Sequence, residues 1–142
     1  MRDAIVIALV LLVVAPAILA LLSQRGRARG LVDGRLAPLG LAPNAVSSEP
    51  QTEDAAKVAP LRVSLAQAKA ALERAGGTVV AETDAYVAAT FASRVFRFID
   101  DVELRGDGTV THIRSASRVG HSDFGANRRR VERIRSLSEK GE

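Results

Sequence analysis

The sequence predicts an α+β protein: a single N-terminal transmembrane helix, then a small four-stranded antiparallel sheet covered by two helices. Three observations predict it. Residues 4–22 carry no charge. Between residues 78 and 118, short runs of strand-forming residues are separated by turn residues. Two runs of helical period, one opening at Ser64 and one near Ser122 or Asp123, bracket those strands. Short connections favour a meander with both helices on one face. The implied organisation is an anchor with a basic flank (1–29), an extended linker or strap (30–60) and an α+β domain (61–142).

At 1.5 Å per residue, the charge-free run is ~28 Å long as a helix, close to the thickness of a hydrocarbon core. Pro16 lies inside it, which membrane helices tolerate. Ala15-Pro16-Ala17 has the form of a signal-peptide cleavage site, but the apolar run continues past it to Leu22. Only Met1, Arg2 and Asp3 precede the run. The reading is an uncleaved anchor, hence a single-pass protein of the inner (cell) membrane. Arg25, Arg27, Arg29 and Arg35 follow the span, against Arg2 and the amino terminus before it. The positive-inside rule then expects the domain in the cytoplasm, with the periplasm left open.

Residues 30–60 hold four of the five prolines and show no period. Asn44 to Ser48 reads as a turn rich in side-chain-to-backbone bonds. Ser64-Leu-Ala-Gln67 is a capping box with Val63 as its staple. Leu65, Ala68, Leu72 and Ala75 then share a face, and Gly76-Gly77 ends the helix. Strands are expected over 78–82, 86–92, 95–104 and 109–118, with Arg105-Gly-Asp-Gly108 as a hairpin turn. In the third strand Phe96, Phe98, Asp100, Val102 and Leu104 fall on one face, while Arg97, Asp101 and Glu103 point the other way. In the last helix Phe124, Asn127, Val131, Ile134 and Ser138 form the inward stripe. Arg129, Arg130 and Arg133 lie opposite, a solvated face or a contact for anionic lipid or an acidic partner.

Composition removes several function classes. There is no cysteine, so no disulfide framework or thiolate metal site. Aromatics are 4% and tryptophan is absent, which leaves little for stacking on nucleic acid. The net charge of +4 comes without a nucleic-acid recognition motif, so such a partner is not expected. No cofactor is implied. His112 and His121 match no zinc spacing.

The densest chemistry is Arg114-Ser-Ala-Ser-Arg-Val-Gly-His-Ser-Asp-Phe-Gly-Ala-Asn-Arg-Arg-Arg130. This run, with Phe98-Ile-Asp-Asp-Val-Glu103 before it and Val131-Glu132 after it, resembles the family known as domain of unknown function 1499. Gly30-Leu-Val-Asp-Gly-Arg-Leu-Ala-Pro38, Pro43-Asn44 and Val46-Ser-Ser48 fit its N-terminal motif. The resemblance implies bacterial and plastid-type relatives, many exported or membrane-anchored, and no assigned activity. Many relatives carry two cysteines where this chain has Leu39 and Ala45. Their joint absence fits a pair that acts as a unit, and it suits a reducing compartment.

Two local readings stay open for each signature residue. Asp100, on the apolar face, is expected to pair with Arg114 or Arg118 on the next strand; alternatively it is a functional carboxylate. The loop Gly120-His121-Ser122-Asp123-Phe124-Gly125 can gather backbone N–H groups around an anion, with Arg114, Arg118 and Arg128 as guanidinium clamps and Ser117 beside them. Alternatively Asp123 caps the helix and the arginines satisfy loop carbonyls. Asn127, on the inward stripe, reads as a register-fixing polar group. No serine of the run sits in a nucleophile elbow. The expected function is a membrane-tethered, non-enzymatic binding or accessory module, such as a small subunit of a larger membrane complex. The alternative is an anion-binding or hydrolytic domain at the signature. Polar groups converging on an open pocket would favour the alternative; mutual bonding would favour the first.

Overall fold

The computed structural model describes residues 1–140, so the last two residues of the expected 61–142 domain lie outside the described residues. Helix α1 (Arg2–Gln24) is long and apolar enough to cross a membrane, with a mean hydropathy of 3.3 over its most apolar stretch. Its buried residues are Ala20 and Ser23, both near its C-terminal end. Between Ala4 and Leu22 its other residues are apolar and, apart from half-buried Pro16, exposed.

The sheet has five strands, in the order β3-β7-β6-β5-β4, all antiparallel. They are β3 (Ala45–Ser47), β4 (Thr78–Thr83), β5 (Tyr86–Ala92), β6 (Ile99–Gly106) and β7 (Thr111–Ser117). The expected four-stranded meander is present as β4 to β7. The fifth strand, β3, corrects that expectation. It comes from the stretch read as a turn and covers the free edge of β7, pairing Val46 with Ser115 and Ser47 with Arg114. Three residues are too few to show a period, and an uncovered edge is a liability that such short segments commonly blunt. Residues 30–60 are a strap across the sheet. They also form a small hairpin of β1 (Leu31–Val32) and β2 (Arg35–Leu36). Its two turn residues, Asp33 and Gly34, both have positive φ, as a type I′ turn requires.

Helices α2 (Leu65–Arg74) and α3 (Ala126–Glu139) lie on one face of the sheet. The capping box at Ser64 and Gln67 forms with both reciprocal bonds. Ala68, Ala71 and Leu72 of α2 meet Val131 and Ile134 of α3 over Val87, Ala89, Val102, Leu104 and Ile113. This is the core.

Two local expectations fail for physical reasons. The third strand starts at Ile99, not at residue 95. Arg97 turns into the left-handed region, and the Ser93 N–H bonds the Phe98 carbonyl to close a loop, so Phe96 leaves the core face. Helix α3 starts later than Ser122 or Asp123. Gly125, at φ 79°, is its N-cap residue, and Phe124 stands off the stripe and fully in solvent.

Candidate functional site

The register decides what the signature can do. Pairing of β6 with β7 sets Asp100 opposite Ser117, Val102 opposite Ser115 and Glu103 opposite Arg114. Even-numbered positions of β6 therefore share a face with odd-numbered positions of β7. Asp100 faces α3, whereas Arg114 and Arg118 face the strap. The expected pairs Asp100–Arg114 and Asp100–Arg118 do not form, because one residue of register transfers a side chain to the other side of a sheet. The signature is thus two clusters, on opposite faces.

On the helix side, Asn127 is the hub and is fully buried. Its Oδ1 accepts from Ser115 Oγ at 2.6 Å and from Arg130 Nη1 at 2.6 Å. Its Nδ2 lies within 2.9 Å of Asn44 O, Ser117 Oγ and Asp123 Oδ2. Arg130 bonds Asp100 at 2.6 Å and lies 4.9 Å from the centre of the Phe91 ring. Asp123 accepts from the Gly125 and Asn127 N–H groups at the start of α3. Burial pushes its carboxyl up, but those N–H bonds outweigh burial and hold it below the usual range. Asp123 thus serves the helix terminus from outside the N-cap position.

On the strap side, Glu103 is the hub, with no exposed surface. It accepts from Arg114 Nη1 at 2.9 Å, Tyr86 Oη at 2.6 Å and Gly30 N at 2.7 Å. Burial, and then Glu103, push the Tyr86 phenol well above its ordinary value. Arg114 Nε is a buried donor without a partner among the described residues. Beside this cluster, Glu49 of the strap takes Arg105 in a two-pronged pair at 2.8 and 3.1 Å and the Leu36 N–H at 3.0 Å. Burial raises its carboxyl, but Arg105 and the Leu36 N–H more than compensate, leaving it below the usual range. Asp101 holds Arg118 through two bonds at 2.8 and 2.7 Å. Arg118 in turn donates to the Ser23 carbonyl at 3.0 Å, and Ser23 Oγ accepts the Ile99 N–H. The end of α1 is thereby fastened to β6.

Sequence reasoning missed Glu49, Tyr86, Asp101, Glu103 and Arg105 as site residues. Asp101 and Glu103 read as solvent-facing, since nothing in β6 tells that the strap covers that side. The legible signal is the placing of Asp101 and Glu103 two residues apart on one face of β6, with Arg114 directly opposite Glu103.

The remaining signature residues are dispersed. Arg128 donates to the Lys57 and Ala55 carbonyls and pins the strap. His121 is exposed, and no group of three or more metal-ligating side chains occurs among the described residues. The Asn44 amide reaches the Gly120 carbonyl at 2.7 Å, joining the N-terminal motif to the signature loop. Arg129 bonds the Phe124 carbonyl, and Arg133 is exposed. Arg130 departs from the expected outer face: its long side chain curls back onto the sheet.

Two clefts border these clusters. One, of about 530 Å³, lies between the strap and the signature loop; Leu39, Leu41, Ala45, Glu53, Asp123 and Arg128 are on its walls. The other, of about 840 Å³, lies where α1 meets the outer face of β4 and β5.

The family described as a protein of unknown function, DUF1499, matches residues 35–137, most of the chain. The chain belongs to the DUF1499 family. That match takes in the strap from β2 onward together with the sheet and α3, the parts joined by Asn44, Glu49 and Arg128. No curated protein and no solved structure matches the chain.

Proposed function

We propose that this DUF1499 protein is a membrane-tethered, non-enzymatic accessory module that docks on a protein partner in the membrane, as a small subunit of a larger complex does. One observation carries the reading: the signature side chains are engaged with one another or with groups of the strap and α1. Asp100, Arg114, Ser117, Arg118, Asp123, Asn127, Arg128 and Arg130 all bond protein groups. A catalytic or anion-binding centre needs such groups directed at an open space. In this protein they hold the strap, the sheet, α3 and the end of α1 together.

The docking surface in this reading is the rim of the smaller cleft. Leu41 and Phe124 are almost wholly exposed there, and Phe124 holds a left-handed backbone that is unfavourable for a bulky residue. Exposed Arg129 and Arg133 continue the surface along α3. The tether is α1, retained rather than cleaved, with the domain on the cytoplasmic side as the arginine excess after the span favours.

The test is purification of full-length protein from its own membranes in mild detergent. A stoichiometric membrane partner should accompany it. Leu41→Ser with Phe124→Ser should release that partner while leaving the circular dichroism and Tm unchanged. Arg129→Gln with Arg133→Gln should weaken the association in the way added salt does. A protein that purifies alone, or a partner indifferent to all four changes, overturns the proposal.

A further inference from the structure

The larger cleft has a different chemistry from the signature clusters. Val80, Ala81, Ala88 and Ile99 form an apolar floor, and Arg27 and Arg97 stand at its edge. No carboxylate among the described residues lines it. Most arginines of the folded domain are bound to carboxylates or carbonyls, but the Arg27 and Arg97 side chains have no hydrogen-bond partner among the described residues. The cleft therefore presents two free guanidinium groups above an apolar surface.

Its position is set by Ser23. That residue lies in the last turn of α1 and is bonded to both Ile99 and Arg118. The cleft consequently opens at the level where the apolar helix ends, the headgroup depth of a bilayer if α1 spans it. The loop between β5 and β6 adds a second contact at the same level. Val95 is 80% exposed and Phe96 40% exposed, flanked by Arg94 and Arg97. Apolar tips between basic residues are the composition of a segment resting in a lipid interface. Arg97 holds a left-handed backbone at φ 59°, which turns the loop at that point.

We propose that this cleft binds an anionic phospholipid, with the phosphate between Arg27 and Arg97, the upper acyl chain on the Val80–Ala88 floor, and Val95 and Phe96 dipping beside it. Charge complementarity selects the occupant: among the described residues, two cations without partners, no acid in the lining and an apolar floor suit an acidic headgroup with a chain attached. The proposal rests on the tether reading, because the cleft meets lipid only if α1 is retained in the membrane. It does not depend on the protein partner.

The test is native mass spectrometry of the full-length protein in detergent, titrated with phosphatidylglycerol or phosphatidylcholine. The wild type should bind phosphatidylglycerol preferentially. Arg27→Gln with Arg97→Gln should weaken that binding roughly 30-fold, on the usual strength of a basic residue at an anionic surface, and leave phosphatidylcholine unaffected. Arg62→Gln with Lys140→Gln removes the same charge elsewhere and should have no effect. Both double variants should keep the wild-type Tm. Equal binding of the two lipids, equal losses in the two double variants, or competition by glycerol phosphate as strong as by the lipid each overturns the proposal. The same spectrum gives the intact mass. A chain that begins after the Ala15-Pro16-Ala17 site overturns the tether and this proposal together; an intact chain without the lipid preference overturns this proposal alone.

Discussion

Replacing Glu103 by alanine is the most incisive perturbation of the strap-side cluster. The carboxylate has no exposed surface and receives three donors: Arg114, Tyr86 and the Gly30 N–H. Without it, the Arg114 guanidinium stays buried at 4% exposure with no counter-charge, and its Nε already lacks a partner among the described residues. Removing one member of a buried pair in this way costs about 3–5 kcal/mol. A domain of this size loses roughly 4–8 °C of Tm per kcal/mol, so the melting temperature should fall by at least ~12 °C. The strap should loosen first, since the Gly30 N–H loses its acceptor. Differential scanning calorimetry of the full chain in detergent reads the shift, and limited proteolysis within residues 30–60 reads the loosening. Glu103→Leu with Arg114→Met removes both charges and should recover the part of the loss that the unpaired guanidinium causes, while the Tyr86 hydroxyl and the Gly30 N–H stay without their acceptor. A Tm shift below ~4 °C for Glu103→Ala, or a double variant no more stable than the single one, would refute the argument that pairing at this site holds the strap down.

The helix-side cluster should respond independently. Asp100→Ala and Arg130→Ala should each lower stability by about 1.5–3 kcal/mol in urea titrations, and the pair should be far from additive, because the 2.6 Å bond is lost in either. Non-additivity of Asp100→Ala with Arg114→Ala instead would overturn the β6–β7 register. Asn127→Ala leaves Ser115, Ser117 and the Asn44 carbonyl short of a partner and should cost about 1–3 kcal/mol, read from the urea midpoint. Gly26→Ala should strain the joint between α1 and the sheet, since a Cβ there would lie 2.8 Å from Arg118 Cδ; faster tryptic cleavage among Arg25, Arg27 and Arg29 is the expected readout. Glu49 should make stability acid-sensitive. Its folded carboxyl lies below the ordinary 4.5, so its stabilising contribution is complete above that pH and is lost as pH falls through the lower folded value. Glu49→Gln should therefore be less stable than the wild type at pH 7, with the gap narrowing in urea titrations carried to pH 3.

Elements whose pattern lies within one segment were legible in the chain itself. The capping box at Ser64, the apolar run of α1, the stripe of α3 from Asn127 to Ser138 and the strands β4, β5 and β7 depend on spacing, which sequence displays directly. The chain also displayed which residues carry charge at the signature. It did not display their partners. Asp100 belongs with Arg130 and not with Arg114, because a β-ladder assigns faces by register, and register depends on where the 107–110 turn closes. The Asp107 carboxyl takes the Thr109 and Val110 N–H groups there, and the turn closes two residues beyond the Arg105–Gly108 turn read from the sequence; that shift changes each cross-strand partner, while either turn pairs even positions of β6 with odd positions of β7. Nor did it display that Glu103 is buried, since Gly30 of the strap that covers it lies 73 residues earlier in the chain. Burial of a charge is a property of what folds over it. Local sequence determined the elements, and only the tertiary structure determined which face each side chain meets and whether water reaches it.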